Sequence, residues 1–201
     1  MKQEKVLVIA MNYLRDFVRP NCINVSGNIH DFLNTVQKES CFIPRSNAEN
    51  DYNFKQVIPY IYISHDKCIY LTNRKSTQSE SRLHNKYSLA VGGHINEFDI
   101  GGIDNIVQNG MLRELNEEVI VDSSDILEIS AKCLISDDTN EVGRVHIGIV
   151  YHVSLKSAKC TVNEIDMMDG KWIQLTDIPA YYEELETWSQ IIYDFILRNE
   201  Q

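Results

Sequence analysis

The chain has 201 residues, 43% of them apolar, which fits one domain of ordinary size or a domain with an extension. Its formal net charge of −10 argues against a nucleic-acid-binding surface, which needs a basic patch, but allows a small polyphosphate substrate held by a few cations and a metal. Five scattered cysteines without a CxxC pair indicate reduced thiols, and neither a disulfide framework nor a zinc site.

The first 56 residues are predicted to be an extension packed on a main domain that covers residues 57–201. Lys5 to Ala10 is predicted to be a buried strand, and the apolar run around it is too short to cross a membrane. The small-residue cleavage site of a signal peptide does not follow this run, so we expect a cytoplasmic protein without membrane association. Asn28 is placed to cap a helix with an apolar stripe from Ile29 to Val36. Residues 42–56 are polar and aperiodic, which predicts a connection.

Two strands joined by a tight turn are predicted next. Residues 57–64 and 68–73 are rich in β-branched and aromatic side chains. Pro59 cannot donate a hydrogen bond to a neighbouring strand, so we expect the first strand to begin there or to border an edge. Arg74 closes the second strand, and it is either an exposed cation or a phosphate contact.

A basic cluster follows in the polar segment 75–86. It contains Lys75, Arg82, His84 and Lys86. Two interpretations stay open: a solvated loop, or a loop through which cations approach a polyphosphate.

An acidic helix is predicted over residues 105–119. Its apolar residues recur every four positions at Val107, Met111, Leu115 and Val119. Glu114, Glu117 and Glu118 stand at i, i+3 and i+4, so their carboxylates share one side of the helix and repel each other. Either they form a solvated acidic face, or a hard cation such as Mg²⁺ lies among them.

The context of this helix resembles the signature of the Nudix hydrolases, G-x5-E-x7-R-E-U-x-E-E-x-G-U, in which U is aliphatic. A Gly92-Gly93 turn precedes the helix, and residues 113–118, RELNEE, match the second half of the signature in full. Three features depart from it: Asn105 stands at the first glutamate, about six extra residues follow Gly93, and Ile120 stands at the late glycine. The acidic partner of Arg113 is therefore expected to be lost or replaced by Asp104, which also sits where a helix cap is useful.

The remaining elements are predicted from shorter patterns. Strands are expected over residues 126–136 and 145–155, with an acidic loop between them, and around Trp172. His146 and His152 fall on one face of a strand and are interpreted as packed or edge histidines. Thr176 or Asp177 is placed to cap a helix, and a terminal amphipathic helix is expected from Trp188 to Ile196. The acidic cluster Glu183, Glu184 and Glu186 is interpreted as a solvated face.

The resemblance covers residues 57–196 and is closest to the predicted-phosphoesterase branch of the superfamily. It implies an α+β fold, a Nudix-type α/β/α sandwich with a mixed sheet, to which the N-terminal extension is added. The order of strands, glycine turn, acidic helix, strands and helix suits this architecture.

The resemblance also implies the chemistry: metal-dependent hydrolysis of a phosphoanhydride in a nucleoside-diphosphate-linked or related small molecule. Glu117 and Glu118 would hold Mg²⁺ or Mn²⁺ with the Gly92 carbonyl, and Glu114 would complete the shell or help to activate water. Arg113 would orient the helix carboxylates. The substrate's phosphates would be bound by Arg74, Arg82 and Lys86.

Two other functions stay open for the same scaffold. The chain is either a nucleotide-binding or sensing module with little turnover, or an isomerase-like member of the superfamily. The intact glutamates favour the hydrolase, while Asn105 and Ile120 favour the module. The oligomeric state is also open, with a homodimer as one option.

Overall fold

The computed structural model describes residues 3–75, 86–101, 105–163, 165–166, 168–195 and 197. The strands are β1 (Lys5–Ala10), β2 (Ile23–Ser26), β3 (Cys41–Pro44), β4 (Phe54–His65), β5 (Cys68–Arg74), β6 (Tyr87–Ser88), β7 (Val119–Val121), β8 (Ile126–Asp137), β9 (His146–Leu155), β10 (Cys160–Val162) and β11 (Met168–Gln174). The helices are α1 (Ile29–Glu39), α2 (Arg45–Ala48), α3 (Ile106–Glu118), α4 (Glu141–Arg144) and α5 (Thr187–Phe195). Segments of 3₁₀ helix cover Met11–Tyr13, Glu97–Asp99, Ser123–Asp125 and Leu175–Glu184.

These elements form two compact units, each made of three stretches of chain. The first unit comprises Met1–Tyr60, Gly92–Glu114 and Ala131–Tyr151, and the second comprises Ile61–Val91, Leu115–Ser130 and His152–Gln201. Four elements, α3, β4, β8 and β9, contribute residues to both units.

The first unit is built on antiparallel pairs that begin at the N-terminus. β1 pairs with β3 from Lys5↔Pro44 to Val8↔Cys41, and with the start of β4 at Val8↔Gln56. Val6 and Val8 are fully buried on β1 and pack with Ala48 of α2. Residues 6–9 are all buried, and because successive side chains of a strand point to opposite faces, both faces of β1 are covered within the first unit.

The second unit is built on β5. This strand forms a hairpin with the end of β4 at His65↔Cys68, and it pairs with β11 from Arg74↔Met168 to Cys68↔Gln174. The turn contains Asp66 at a φ of 51°, a left-handed conformation that aspartate tolerates. β7 and β10 form a separate two-stranded antiparallel sheet.

The main sheet is mixed, and its hydrogen-bonded strand order is β11-β5-β4-β9-β8-β2. The predicted combination of a mixed sheet with helices is thereby confirmed. Pro59 lies inside β4 and not at its start: β1 pairs with β4 before the proline, and Val91 pairs with Ile61 beyond it. A residue without an amide N–H fits the point at which the hydrogen-bonding partner changes.

One of the smaller predictions was wrong. The segment 42–56 is not a connection, because it holds most of β3, all of α2 and the start of β4. The helix predicted after Thr176 forms as a 3₁₀ helix, Leu175–Glu184, and its N-cap is Gln174 and neither Thr176 nor Asp177. None of the helices in the described residues is long and apolar enough to cross a membrane.

Candidate functional site

Helix α3 forms as its sequence pattern predicts. The Asn105 side chain accepts a hydrogen bond from the Gln108 amide at 3.0 Å, which caps the helix. The apolar residues Val107, Met111, Leu115 and Val119 are all buried. The predicted span of 105–119 is confirmed to within one residue at each end. Asn105 therefore has a structural role of its own at the position of the first signature glutamate.

Arg113 is held by a carboxylate that the sequence pattern did not single out. Its Nε donates to Asp99 Oδ1 at 2.8 Å and its Nη2 donates to Asp99 Oδ2 at 3.0 Å, a two-point contact between planar groups. Nη2 also donates to the His94 carbonyl at 2.8 Å. The Asp99 side chain is only 3% exposed, so this ion pair is largely shielded from water. The Asp99 carboxylate raises the pKa of Arg113, so the guanidinium stays charged.

The expected replacement of the arginine's partner by Asp104 falls outside the described residues. The structure instead shows that the inserted loop supplies Asp99 through a 3₁₀ turn, Glu97–Asp99, capped by Asn96. Sequence spacing could not predict this ion pair, because Asp99 lies in a loop without a repeating pattern, fourteen residues before Arg113.

Glu114 is the buried carboxylate of α3. It is 8% exposed, and its Oε1 accepts a hydrogen bond from Arg113 Nη1 at 2.8 Å. Its Oε2 lies against the backbone of Gly93, where a Cβ atom would stand 2.6 Å from it. Glycine at this position lets the carboxylate approach the turn directly.

Gly92 is required by backbone geometry. Its φ is +150°, and a Cβ atom at this position would lie 2.0 Å from the Pro59 carbonyl oxygen. No other residue fits so close to β4 without moving it. The glycine turn and Glu114 are therefore brought together as the signature predicts, within the first unit.

Glu117 and Glu118 follow Glu114 on the last turn of α3. Glu117 is exposed and Glu118 is half-buried. The Glu117 carbonyl accepts a hydrogen bond from the Asn163 side chain at 3.1 Å, and the Glu118 carbonyl accepts one from the Asn163 backbone N–H at 2.9 Å. These two bonds hold the end of the helix. Ile120, at the late glycine position, is exposed on β7.

Carboxylate oxygens are the ligands that Mg²⁺ prefers, so the donor set on α3 fits a hard divalent cation. Among the described residues, no group of three His, Cys, Asp or Glu side chains is placed to hold a metal ion. Because Arg113 fixes the Glu114 carboxylate, the exposed Glu117 side chain is the one that would rotate on binding.

The basic residues expected to bind phosphate are described only in part. Arg74 ends β5, but its side chain and the whole of Arg82 lie outside the described residues. Lys86 donates to the Glu183 carbonyl at 3.3 Å. Lys75 forms an ion pair with Asp169 at 2.9 Å. Both lysines thus have partners on the protein surface.

The two histidines of β9 have different surroundings. His152 packs as predicted: it stacks on Tyr62 with ring centroids 4.5 Å apart, and its Nε2 lies 2.7 Å from Ser64 Oγ. His146 instead lies beside His94 of the glycine turn, with ring centroids 5.7 Å apart. Its position near the turn was missed, because no local spacing connects residues 94 and 146.

Comparisons with known proteins find similarity to one curated protein and to solved structures. No protein-family model matches the sequence. The chain is 39% identical over 156 residues to Protein YmaB of Bacillus subtilis (strain 168), covering 76% of each chain. It is 32% identical to Tm1382, a candidate Nudix hydrolase whose crystal structure it matches with a TM-score of 0.81, covering 98% of this chain and 100% of the other.

A more distant structure shows the same fold. The Nudix domain of Shewanella oneidensis NrtR, crystallised with ADP ribose, is 17% identical, with a TM-score of 0.52, over 73% of this chain and 87% of the other. At that identity the likeness concerns the fold alone.

Proposed function

Because this chain belongs to the Nudix hydrolase superfamily, we propose that it hydrolyses a phosphoanhydride bond in a small nucleoside-diphosphate-linked molecule, with Mg²⁺ or Mn²⁺ as cofactor. The observation that carries this proposal is the arrangement around Glu114: a buried carboxylate fixed by Arg113 and pressed against Gly93. A buried charge is costly unless it is paired, so such a carboxylate on a solvated helix face would have no reason to be there.

Glu114, Glu117 and Glu118 would hold the cation together with the Gly92 carbonyl. When bound, the cation would polarise a phosphoryl oxygen and lower the pKa of a bound water. Arg113 would keep Glu114 in place, because its guanidinium is itself fixed by Asp99. Gly92 and Gly93 would leave the turn open for the carboxylate and the ligand.

Local charge and one structural neighbour support this substrate class. Arg74, Arg82 and Lys86 would bind the phosphates, as local cations in a chain whose net charge is −10. The Nudix domain of NrtR was crystallised with ADP ribose, which has the expected chemistry of a nucleoside diphosphate linked to a second group.

One observation favours a second function, nucleotide binding with little turnover. In the described residues no three metal-binding side chains converge, as a fully assembled catalytic site would require. Turnover therefore decides between the hydrolase and the binding module.

The test combines a substrate screen with metal calorimetry. Nucleotide sugars, dinucleotides and nucleoside polyphosphates are offered with Mg²⁺ or Mn²⁺, and phosphate-containing products are measured. Glu118→Gln removes one carboxylate charge, so Mg²⁺ affinity and turnover should both fall at least about tenfold. Glu128→Gln is the matched control, because Glu128 is an exposed carboxylate on β8. Equal Mg²⁺ affinity in wild type and Glu118→Gln would overturn the metal site. Binding of a nucleotide without its turnover would support the second function, a nucleotide-binding or sensing module.

A further inference from the structure

His146 is held in one tautomer by the protein. Its Nδ1 lies 2.7 Å from the Val142 carbonyl oxygen, which can only accept a hydrogen bond. Nδ1 therefore carries the proton, and in the neutral ring Nε2 has the lone pair. A histidine in this state is prepared to accept a proton at Nε2.

The segment that fixes His146 is itself clamped by a fully buried lysine. Lys55 is 0% exposed, and its Nζ forms an ion pair with Asp138 at 2.7 Å. The same ammonium donates to the carbonyls of Gly143, Arg144 and His146 at 2.9, 3.0 and 3.1 Å. Burying a charged pair costs desolvation energy and is weak evidence for stability, so its clearest effect here is to fix geometry.

The Lys55 ammonium and the His146 ring both bond to backbone carbonyls of the same helix, α4. Val142, which accepts the bond from the ring, belongs to α4, and Lys55 holds the next residues of that helix by their carbonyls. Gly143 lies so close to the Asp137 backbone that a Cβ atom would be 1.7 Å from its carbonyl oxygen. The loop therefore has little freedom to move His146.

The fixed ring lies at the glycine turn of the candidate site. Its centroid is 5.7 Å from that of His94, whose carbonyl accepts from Arg113 at 2.8 Å. The preceding residue, Gly93, touches the Glu114 carboxylate. The His146 ring thus contacts the residue whose backbone carbonyl accepts from Arg113, the hydrogen-bond partner of Glu114.

We propose that His146 is a catalytic residue that accepts the proton of the attacking water, an inference that rests on the proposed function. Water adds to one phosphorus while the bond from that phosphorus to the bridging oxygen breaks, and the bridging oxygen leaves with the electron pair on the second phosphate. The proton of the water moves to His146 Nε2, and the imidazolium releases it to solvent before the next turnover. No oxidant or reductant is needed.

The test separates the lone pair from the structural hydrogen bond. His146→Asn places an amide N–H where Nδ1 was, so the bond to Val142 is retained while Nε2 is removed. A general base contributes about 100-fold to 10,000-fold, so kcat should fall by at least about 100-fold while KM changes little. Added imidazole should restore part of the rate in His146→Gly. His152→Gln is the control, because it removes the other histidine of β9 and keeps a partner for Ser64.

The outcomes distinguish this inference from the proposed function. A wild-type enzyme without turnover on any substrate overturns both. Turnover in the wild type, with equal kcat in His146→Asn, or a raised KM alone, overturns only the role of His146. Long-range ¹H–¹⁵N spectra of the wild type give a readout that does not depend on activity or on the folding of a variant. They should show the Nδ1–H tautomer, and an Nε2–H tautomer overturns the inference.

Discussion

At the scale of single residues, the pair Asp99–Arg113 explains how the chain keeps an ordered carboxylate despite Asn105 at the first glutamate of the signature. The insertion after the glycine turn brings Asp99 to the guanidinium with two hydrogen bonds of 2.8 and 3.0 Å. Arg113 Nη1 donates to Glu114, and Nη2, which already bonds Asp99, also donates to the His94 carbonyl. The departure at Asn105 is therefore compensated within the same segment that lengthens the loop.

Replacing Asp99 by asparagine tests this compensation. The variant leaves a charged guanidinium beside a neutral amide, so the free energy of unfolding should fall by about 1.5–3 kcal/mol. Urea unfolding at neutral pH measures the loss. The matched control is Asp169→Asn, which breaks the exposed pair with Lys75 and should cost less than about 1 kcal/mol. Equal effects of the two changes would contradict a special role for Asp99.

At the scale of elements, Gly110 connects α3 with the inserted loop. A Cβ atom at this position would lie 2.8 Å from Ile95 Cγ1 and 3.2 Å from Asp99 Oδ2. Ile95 is fully buried, so it has no room to yield. The absence of a side chain at Gly110 therefore makes room for the loop that delivers Asp99.

Gly110→Ala sets helix propensity against packing. Alanine gains about 1 kcal/mol over glycine in a helix interior. Overpacking of a filled site costs about 1–3 kcal/mol, so the net free energy of unfolding should decrease by up to about 2 kcal/mol. Thermal unfolding monitored by circular dichroism measures the change. Gln108→Ala, on the same helix at a half-buried position, is the control and should be neutral or slightly stabilising. A stabilised Gly110→Ala would show that the loop moves aside easily.

The sequence was most informative where an element's pattern is local. The apolar repeat of α3 predicts the helix and its end, and Gly92-Gly93 predicts the turn. Short strands such as β3 and β7 have too few residues for a period to be visible, and their existence depends on partners distant in the chain. Asp99 and His146 were missed for the same reason, because their partners are set by the folded chain and not by spacing. The domain division at residue 56 stays a prediction.

At the scale of the whole molecule, burial raises the pKa of four weak acids, two thiols and two phenols. Burial raises the pKa of the Cys133 and Cys160 thiols from 9.0 to about 12. Burial likewise raises the pKa of the Tyr70 and Tyr151 phenols to about 12. All four therefore stay neutral in the folded protein at physiological pH, and Cys133 and Cys160 stay thiols and not thiolates.

These raised pKa values predict a loss of stability in alkali. Below about pH 9 the Cys133 thiol is protonated in both the folded and the unfolded chain, so it adds no pH dependence. Between about pH 9 and 12 the unfolded thiol ionises while the folded one keeps its proton, so the unfolded state binds fewer protons and stability falls as pH rises. The slope from one such group is about 1.4 kcal/mol per pH unit. In urea unfolding between about pH 9 and 11, Cys133→Ala should therefore lose stability less steeply than the wild type by about that amount.

Ile135→Val is the control: it deletes a buried methyl group on the same strand, so it should lower stability equally at every pH and leave the slope unchanged. Parallel curves for wild type and Cys133→Ala would show that the thiol ionises as readily in the folded chain as in the unfolded one, and would contradict its burial.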